Sequence, residues 1–392
     1  MVSVEYPPVY DGGLGIAVAA LARALAGRGI AVDVVTRGPA AATERDGAVT
    51  VHRVAEPDRG AIADAGYPAF LRWVDAFADR LAATGLAVAR ERGIDLVHAH
   101  EWHAGAAARR VAAGAGRPLV ATVHATARAK AVARGTAPRL PVEAAERTLA
   151  RAAQAVTVAS RWLANELAAA GVARDRIAVL PFGVDLGPAP AASAVRRART
   201  ALAAPGRRPI LVAGRMVSEK GFQDSIAALP MLLRHQPDAA LAIAGEGWYE
   251  PALRDAVART GIEGRVRFLG RLDPDALAAH YRAADLVAVP SRYEPFGLVA
   301  LEAMAAGAPV LAAAVGGLAE LLPPDEPAMR FPPGDPDALA ARAAALLGDA
   351  GLRRRVADRG RRRAEAYGWD AVAARYADLY AAVRAGALAG AR

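Results

Sequence analysis

Short apolar runs alternate with longer Ala- and Leu-rich segments along the whole chain, and this alternation limits the possible folds most strongly. The short runs have the length of buried strands and the longer segments have a helical period, which is the pattern of βα units under a parallel sheet. The predicted strands of the first half are Val2–Glu5, Ala31–Thr36, Val49–Arg53, Leu96–His100, Leu119–His124, Ala155–Ala159 and Ile177–Leu180. Those of the second half are Ile210–Ala213, Ala240–Ala244, Val266–Leu269, Leu286–Val289 and Val310–Ala312. The predicted helices include Ile16–Ala26, Pro68–Arg90 and Ala104–Ala113. The fold class is therefore α/β.

The 392 residues exceed what one hydrophobic core usually serves. Residues 181–209 hold several prolines and a polar Ala/Arg stretch without a strand pattern, and the βα alternation restarts after them. We therefore predict two Rossmann-like α/β/α domains, residues 1–186 and 187–370, followed by a carboxyl-terminal helix within residues 371–392. The two domains are expected to face each other across a deep cleft, with the carboxyl ends of both sheets lining it.

Composition excludes several classes of protein. Hydrophobic residues make up 54% and charged residues 23% of the chain, which is typical of a globular protein. There is no cysteine, and charged residues interrupt every apolar run before it reaches the length of a membrane span. The amino terminus has no pattern of a signal or transit peptide, so a cytoplasmic location is expected. The net charge of +9 is spread over both halves, and we predict no nucleic-acid partner.

The most informative motif spans residues 291–310. Here a strand ends, a loop containing Glu294, Pro295 and Gly297 follows, and a helix begins near Leu298. A helix start preceded by glycine presents unpaired backbone N–H groups and the positive end of the helix dipole, which bind phosphate readily. Glu302 lies two turns into the helix, so Glu294 and Glu302 are placed to hold the two ends of a ligand.

A second motif spans residues 212–222, where another strand ends in a polar loop. Arg215 can bind two phosphate oxygens at once, and Lys220 supplies a compact positive charge for a leaving group. Only two of the 49 basic residues are lysines, Lys130 and Lys220, so Lys220 is a candidate for a role that needs an ammonium group. Together the two motifs predict a diphosphate site.

The first half has a glycine-rich turn at residues 11–15, Asp-Gly-Gly-Leu-Gly. It is not the G-x-G-x-x-G sequence of dinucleotide sites, and Thr36 and Arg37 stand where such a site needs an acidic residue. A nicotinamide-dependent enzyme is therefore disfavoured. The turn either lets the backbone approach a phosphate or sugar, or is an ordinary tight turn.

Three histidines and a carboxylate lie close together at residues 98–103. His100 and His103 are three apart across a strand end, which is not metalloprotease spacing, so we predict no metal site. His98 is expected to be structural, whereas Glu101 and His103 are placed to bind sugar hydroxyls. His124 ends another strand at the same edge and is either structural or part of the site.

These motifs resemble the retaining glycosyltransferases of the GT-B fold, the family 4-like group that includes glycogen and starch synthases and many mannosyl- and glucosyltransferases. The likeness rests on the residues already described, on Pro181-Phe182-Gly183-Val184-Asp185, and on the Asp95–Gly105 run, and it covers nearly the whole chain. It implies a hexosyltransferase that uses a nucleoside-diphosphate sugar, UDP- or GDP-linked, as co-substrate. It also implies that the last helix, after Trp369, crosses back onto the first domain.

The resemblance also implies roles for donor-binding residues. Arg215 and Lys220 neutralise the diphosphate, and the backbone of the segment Phe296–Leu298 around Gly297 contacts it. Glu302 holds the ribose, and Glu294 binds hydroxyls of the donor sugar.

Further roles follow from the same likeness. The loop of Arg271 lies against the base, and Gly12 and Gly13 approach the phosphates. Glu101 and His124 contact the transferred sugar. The catalytic set is then Arg215, Lys220, Glu294 and His124.

Two departures concern the acceptor. Glycogen and starch synthases have a lysine where Asp11 stands and usually an aspartate where Glu101 stands. The acceptor is expected to be a small molecule or saccharide near Asp11, Glu101 and His103. Asp11 and Glu101, with the acidic residues Glu56, Asp58 and Asp64, leave open a cationic acceptor such as an aminosugar or aminocyclitol.

For the reaction we predict transfer with retention, no metal ion and no protein nucleophile, with a departing phosphate oxygen taking the acceptor proton. One alternative is a peripheral membrane transferase acting on a lipid-linked acceptor. Another is a sugar-nucleotide-binding protein without activity. The oligomeric state is not predicted.

Overall fold

The computed structural model describes residues 1–10, 12–57 and 66–386, which form two compact units. The first unit contains the described parts of residues 1–132 and 136–183 together with the last helix of the chain. The second unit contains residues 184–368, with residues 133–135 grouped with it. Each unit has its own mostly parallel sheet.

The first sheet has strands in the order β2-β3-β1 and β4-β5-β6-β7. All neighbouring pairs are parallel except β2 with β3. The strands are β1 (Asp33–Gly38), β2 (Ala42–Asp46), β3 (Val49–Ala55), β4 (Val97–His100), β5 (Leu119–Thr122), β6 (Ala155–Val158) and β7 (Ile177–Val179).

The predicted first strand, Val2–Glu5, is reduced to a single pairing residue. Val2 forms parallel bridges to Val35 and to Ala99, and thereby joins β1 to β4. The chain then bends, and the Ser3 hydroxyl donates to the Glu5 carbonyl at 2.9 Å. The strand therefore ends almost as soon as it begins.

The first unit has helices on both faces of its sheet. One core layer includes Phe77, Leu81 and Val156, and the opposite layer includes Leu25 and Val34. The helices are α1 (Gly13–Gly27), α2 (Gly66–Arg92), α3 (Trp102–Ala115), α4 (Ala127–Arg134), α5 (Leu140–Ala152) and α6 (Arg161–Ala169).

The second unit has a fully parallel sheet in the order β10-β9-β8-β11-β12-β13. Its strands are β8 (Arg208–Ala213), β9 (Ala239–Ala244), β10 (Val266–Gly270), β11 (Leu286–Val289), β12 (Val310–Ala313) and β13 (Arg330–Phe331). Its helices are α7 (Ala192–Leu202), α8 (Phe222–Leu233), α9 (Glu250–Thr260), α10 (Pro274–Ala283), α11 (Leu298–Ala305), α12 (Gly316–Leu321), α13 (Pro336–Gly348) and α14 (Ala350–Glu365). α7 lies within residues 181–209, the segment that sequence analysis interpreted as the domain boundary.

The last helix, α15 (Trp369–Arg384), begins two residues before the predicted start at Ala371. It packs on the first unit, where its buried Tyr376 and Val383 join the core layer of α1. The Tyr380 hydroxyl lies 2.7 Å from His98 Nδ1, on strand β4. The chain thus returns to the first unit at its end.

Candidate functional site

The helix start at Gly297 has the geometry of an anion site. Gly297 caps α11 with a φ of +109°, and a Cβ there would lie 2.7 Å from Leu318 Cδ1. Glycine is therefore required both by the backbone angle and by the close packing. The first turn of α11 carries no acidic side chain, so nothing in that turn offsets the positive end of its dipole.

Lys220 and Glu294 form an ion pair just before this helix. Lys220 Nζ donates to Glu294 Oε2 at 2.5 Å, and the Ser291 hydroxyl donates to the same oxygen at 3.2 Å. Glu294 is 7% exposed, and its carbonyl accepts from the Gly317 amide at 3.0 Å. The two predicted site motifs, which lie 74 residues apart in sequence, therefore meet in the structure.

Gly221 allows the Lys220 loop to approach the end of β11. Its φ is +69°, and a Cβ would lie 1.9 Å from the Pro290 carbonyl oxygen. Only glycine, which has no Cβ, fits this close to a neighbouring backbone. This contact fixes where Lys220 enters the site.

Arg215 lies two residues after the end of β8, and its side chain is exposed. Gly214 precedes it with a φ of +136°. The guanidinium is therefore presented to solvent at the carboxyl edge of the second sheet, the same edge from which Lys220 and Glu294 extend.

Glu302 lies on α11, and the Tyr281 hydroxyl donates to its Oε2 at 3.1 Å. Burial raises the pKa of Glu302 to about 7, and the Tyr281 hydrogen bond opposes that rise. Tyr281 is 1% exposed. Sequence analysis did not identify Tyr281 as this partner, because only the tertiary structure brings α10 into contact with α11.

The remaining donor-side residues differ in exposure. Phe296 is 5% exposed, and its ring centroid lies 6.0 Å from that of Tyr367, so its side chain packs in the interior. Leu298, the first residue of α11, is half-buried. Arg271 is exposed and follows Gly270, the last residue of β10.

The glycine turn of the first unit lies at the start of α1. Gly12 caps this helix in an extended conformation, Gly13 is the first helical residue, and a Cβ at Gly12 would meet no atom within 4 Å. The Gly12 backbone is thus open to a ligand. Asp11 lies outside the described residues, as do Asp58 and Asp64, while Glu56 Oε2 lies 3.8 Å from Arg37 Nη1.

Glu101 is 4% exposed and has a φ of +68°, a backbone conformation that is rare for any residue except glycine. Its Oε1 accepts from the His124 amide at 2.8 Å and from the Ala125 amide at 3.0 Å. The carboxylate therefore fixes the loop that carries His124, a role that sequence reasoning did not identify.

His124 lies in that loop, because β5 ends at Thr122 rather than at His124 as predicted. Its ring stacks on Phe182 at 5.0 Å, and its Nε2 lies 3.4 Å from His100 Nδ1. Burial, followed by the charge of Lys130, lowers the pKa of His124 to about 3. His124 is thus a neutral imidazole at physiological pH.

His103 is the second residue of α3, after Trp102, and the two ring centroids are 4.0 Å apart. Burial, then Lys130 and Arg37, lower its pKa to about 3. Glu146 is a further buried carboxyl of the first unit: burial and then Glu101 raise its pKa to about 8, and its Oε1 accepts from the Ala127 amide at 2.9 Å. Glu146 was not predicted from sequence.

His98 has the structural role that was predicted for it. Its Nε2 lies 2.6 Å from the Thr122 hydroxyl, its Nδ1 contacts Tyr380, and the residue is 1% exposed. Within residues 1–10, 12–57 and 66–386, no group of three or more His, Asp or Glu side chains is arranged to hold a metal ion. Over the same part of the chain, no helix is both long and apolar enough to cross a membrane.

Comparison with known proteins assigns both units to glycosyltransferase families. Residues 11–187 match "Glycosyltransferase Family 4", and residues 196–363 match "Glycosyl transferases group 1". The chain is 35% identical to a glycogen synthase of Mycobacterium tuberculosis, over 98% of this chain and 95% of that protein. It is 36% identical to a D-inositol 3-phosphate glycosyltransferase of Xylanimonas cellulosilytica, over 94% of this chain and 91% of the relative.

Solved structures give the same answer for the fold. Sucrose-phosphate synthase from Thermosynechococcus elongatus has a TM-score of 0.84 at 27% identity, covering 98% of both chains. Anabaena Alr3699/HepE, solved with UDP and glucose, has a TM-score of 0.75 at 23% identity over 97% of this chain and 98% of that one. The protein is therefore an α/β enzyme of the GT-B fold, built from Rossmann-like units. It belongs to the group 1, family 4-like glycosyltransferases.

Proposed function

We propose that this protein transfers a hexose from a nucleoside-diphosphate sugar, UDP- or GDP-linked, to a hydroxyl of a small-molecule or saccharide acceptor, with retention of configuration. The observation that carries the proposal is the 2.5 Å contact between Lys220 Nζ and Glu294 Oε2, three residues before the helix start at Gly297. It places an ammonium group and the free amides of α11 on one edge of one sheet. A diphosphate needs such a combination of charge and N–H donors.

In the reaction the bond between the anomeric carbon and the diphosphate oxygen breaks, and negative charge develops on that oxygen. Lys220, Arg215 and the amides around Gly297 and Leu298 stabilise the charge. The acceptor oxygen bonds to the same face of the anomeric carbon, and its proton passes to the departing phosphate oxygen. One well-placed donor of this kind is typically worth about 3 to 4 kcal/mol in the transition state.

Glu294 acts by binding the sugar rather than as a nucleophile. Its Oε2 is already bound by Lys220 and Ser291. Among the described residues no donor contacts Oε1, which is therefore available to accept from a donor-sugar hydroxyl. A carboxylate held in this way is fixed in position and is less free to attack carbon.

Other second-unit residues complete the donor site. Glu302 accepts from ribose hydroxyls, since burial raises its pKa and an ionised carboxylate there needs hydrogen-bond donors. Arg271 lies against the base, and Phe296 supports the loop from its interior position.

The first unit supplies the residues that contact the transferred sugar and the acceptor. The neutral imidazole of His124 hydrogen-bonds a sugar hydroxyl, while Glu101 and His103 form the acceptor side with Asp11. The backbone at Gly12 and Gly13 approaches the phosphates. No divalent ion is required, because cationic side chains and helix amides replace it.

The acceptor is proposed to be a polyol or saccharide hydroxyl. The relatives named above are a glycogen synthase and a D-inositol 3-phosphate glycosyltransferase, so polyhydroxy acceptors are the first to test. The test incubates the protein with UDP-, GDP- and ADP-hexoses and such acceptors, and detects products by mass spectrometry. Proton NMR of the first-formed product should show the anomeric configuration of the donor; an inverted product contradicts the proposed stereochemistry.

A further inference from the structure

Trp248 is a large aromatic side chain that is mostly exposed to solvent. Its relative exposure is 64%, and of the large apolar side chains that are exposed in the described residues, it alone is aromatic; the others are Val132, Leu140 and Leu186. An indole left in water forgoes the free energy of burial, so a large exposed aromatic side chain is informative. The donor site described under the proposed function assigns no role to Trp248.

The loop that carries Trp248 is held rigidly. A Cβ at Gly245 would lie 1.9 Å from the Gly214 carbonyl oxygen, and one at Gly247 would lie 2.2 Å from the Met216 carbonyl oxygen. The Met216 amide donates to the Glu246 carbonyl at 2.8 Å, which pairs this loop with the segment after Arg215. The position of the Trp248 backbone is therefore fixed relative to Arg215.

The side chain of Tyr249 also restricts the orientation of the Trp248 indole. The Tyr249 ring lies edge-on to Trp248, with centroids 5.3 Å apart and an interplanar angle of 64°. The Tyr249 amide donates to the Met216 carbonyl at 3.1 Å. The indole thus packs edge-on against Tyr249 while most of its surface is exposed.

The sheet order places this loop between two parts of the proposed donor site. β9 lies between β8, which ends two residues before Arg215, and β10, which ends directly before Arg271. Adjacent strands are about 4.8 Å apart. A nucleotide with its diphosphate near Lys220 and its base near Arg271 must therefore pass the loop of Trp248.

We propose that the exposed indole of Trp248 stacks on the nucleobase of the donor. This inference rests on the proposed function. A planar base gains from stacking on an aromatic ring, and this contact tolerates different bases. Arg271 then lies at the edge of the base, and Trp248 supplies affinity rather than catalysis.

The test is calorimetric titration of wild type and Trp248→Ala with two probes, a nucleoside diphosphate and inorganic pyrophosphate. Pyrophosphate carries the charges of the ligand but no base. We expect Trp248→Ala to weaken nucleoside diphosphate binding about tenfold or more and to leave pyrophosphate binding unchanged. Trp248→Phe should restore most of the affinity, and binding should quench the fluorescence of the wild type more than that of Trp248→Phe.

Leu186→Ala is the matched control, since Leu186 is another exposed apolar side chain of the second unit, 47% exposed, and it should bind both probes as the wild type does. Equal affinity of wild type and Trp248→Ala for the nucleoside diphosphate would overturn this inference and leave the proposed function standing. So would an equal loss for both probes, or a change confined to the KM of the acceptor. If the wild type binds no nucleoside diphosphate, the proposed function fails and the inference fails with it.

Discussion

Lys220 Nζ lies 2.5 Å from Glu294 Oε2, and this pair joins the two loops that sequence analysis identified separately. Because Glu294 is 7% exposed, its carboxylate has lost most of its water, and the ammonium group compensates. The pair has a functional consequence: the lysine is already oriented beside the start of α11 before any ligand arrives. Such preorganisation means that little reorganisation is needed during the reaction.

The pH dependence of stability tests the environment of Glu302. Burial raises its pKa from 4.5 to about 7, so the folded chain keeps this proton over a range where the unfolded chain loses it. Stability from this group is complete below about pH 4.5 and falls as pH rises to 7, by as much as about 3 kcal/mol. Glu302→Gln should therefore gain in Tm relative to wild type between pH 5 and pH 8. Parallel Tm profiles of the two proteins would show that the carboxyl is not buried as described.

Glu101 is expected to stabilise the first unit through its two backbone contacts. Glu101→Ala leaves the part-buried amide of His124 and the buried amide of Ala125 without their acceptor, at a cost of about 1 to 3 kcal/mol each. Glu101→Gln keeps an acceptor oxygen and should lose much less. Urea unfolding followed by circular dichroism measures both. Equal stability of Glu101→Ala and wild type is incompatible with the proposed fixing of the loop.

Tyr380 tests how the last helix is attached. Tyr380→Phe removes the 2.7 Å partner of buried His98 and should lower the free energy of unfolding by about 1 to 3 kcal/mol. Tyr376→Phe is the matched control, because its hydroxyl lies 3.4 Å from the Thr157 hydroxyl, a longer contact than the 2.7 Å one of Tyr380. The larger Tm loss should belong to Tyr380→Phe; the reverse order would contradict the importance of the His98 contact.

Metal independence is expected from the charges of the site. In the proposed function, Arg215, Lys220 and the amides of α11 supply the positive potential for a diphosphate. Transfer rates measured with excess EDTA should equal those measured with added Mg²⁺ or Mn²⁺. Loss of activity in EDTA that returns with a divalent ion would require a different account of the leaving group.

Sequence patterns were sufficient for the fold class because most strands are buried apolar runs, such as Leu286–Val289. They failed for β2, whose five residues Ala42–Asp46 are polar or small and largely exposed. This strand is stabilised by distant partners: the Tyr6 hydroxyl donates to Asp46 at 2.6 Å, and Arg53 contacts Glu44. The periodicity of the local sequence does not reveal such contacts.

The candidate site, like the fold, was predicted only in part from the sequence. The positions of Lys220, Glu294 and Gly297 follow from strand ends and glycine spacing, which are local features. The partners Tyr281 of Glu302 and Ser291 of Glu294, and the backbone contacts of Glu101, depend on tertiary packing. Residue type alone therefore identified the charged groups but not what positions them.

The central claim is that Lys220 stabilises the leaving diphosphate, and the kcat of Lys220→Ala with a nucleoside-diphosphate hexose tests it most directly. Arg361→Ala is the control, since Arg361 forms an exposed pair with Glu365, and its kcat should stay within twofold of wild type. We predict that Lys220→Ala lowers kcat by about a hundredfold or more while keeping the wild-type fold. A decrease of less than about threefold would contradict the assignment of Lys220.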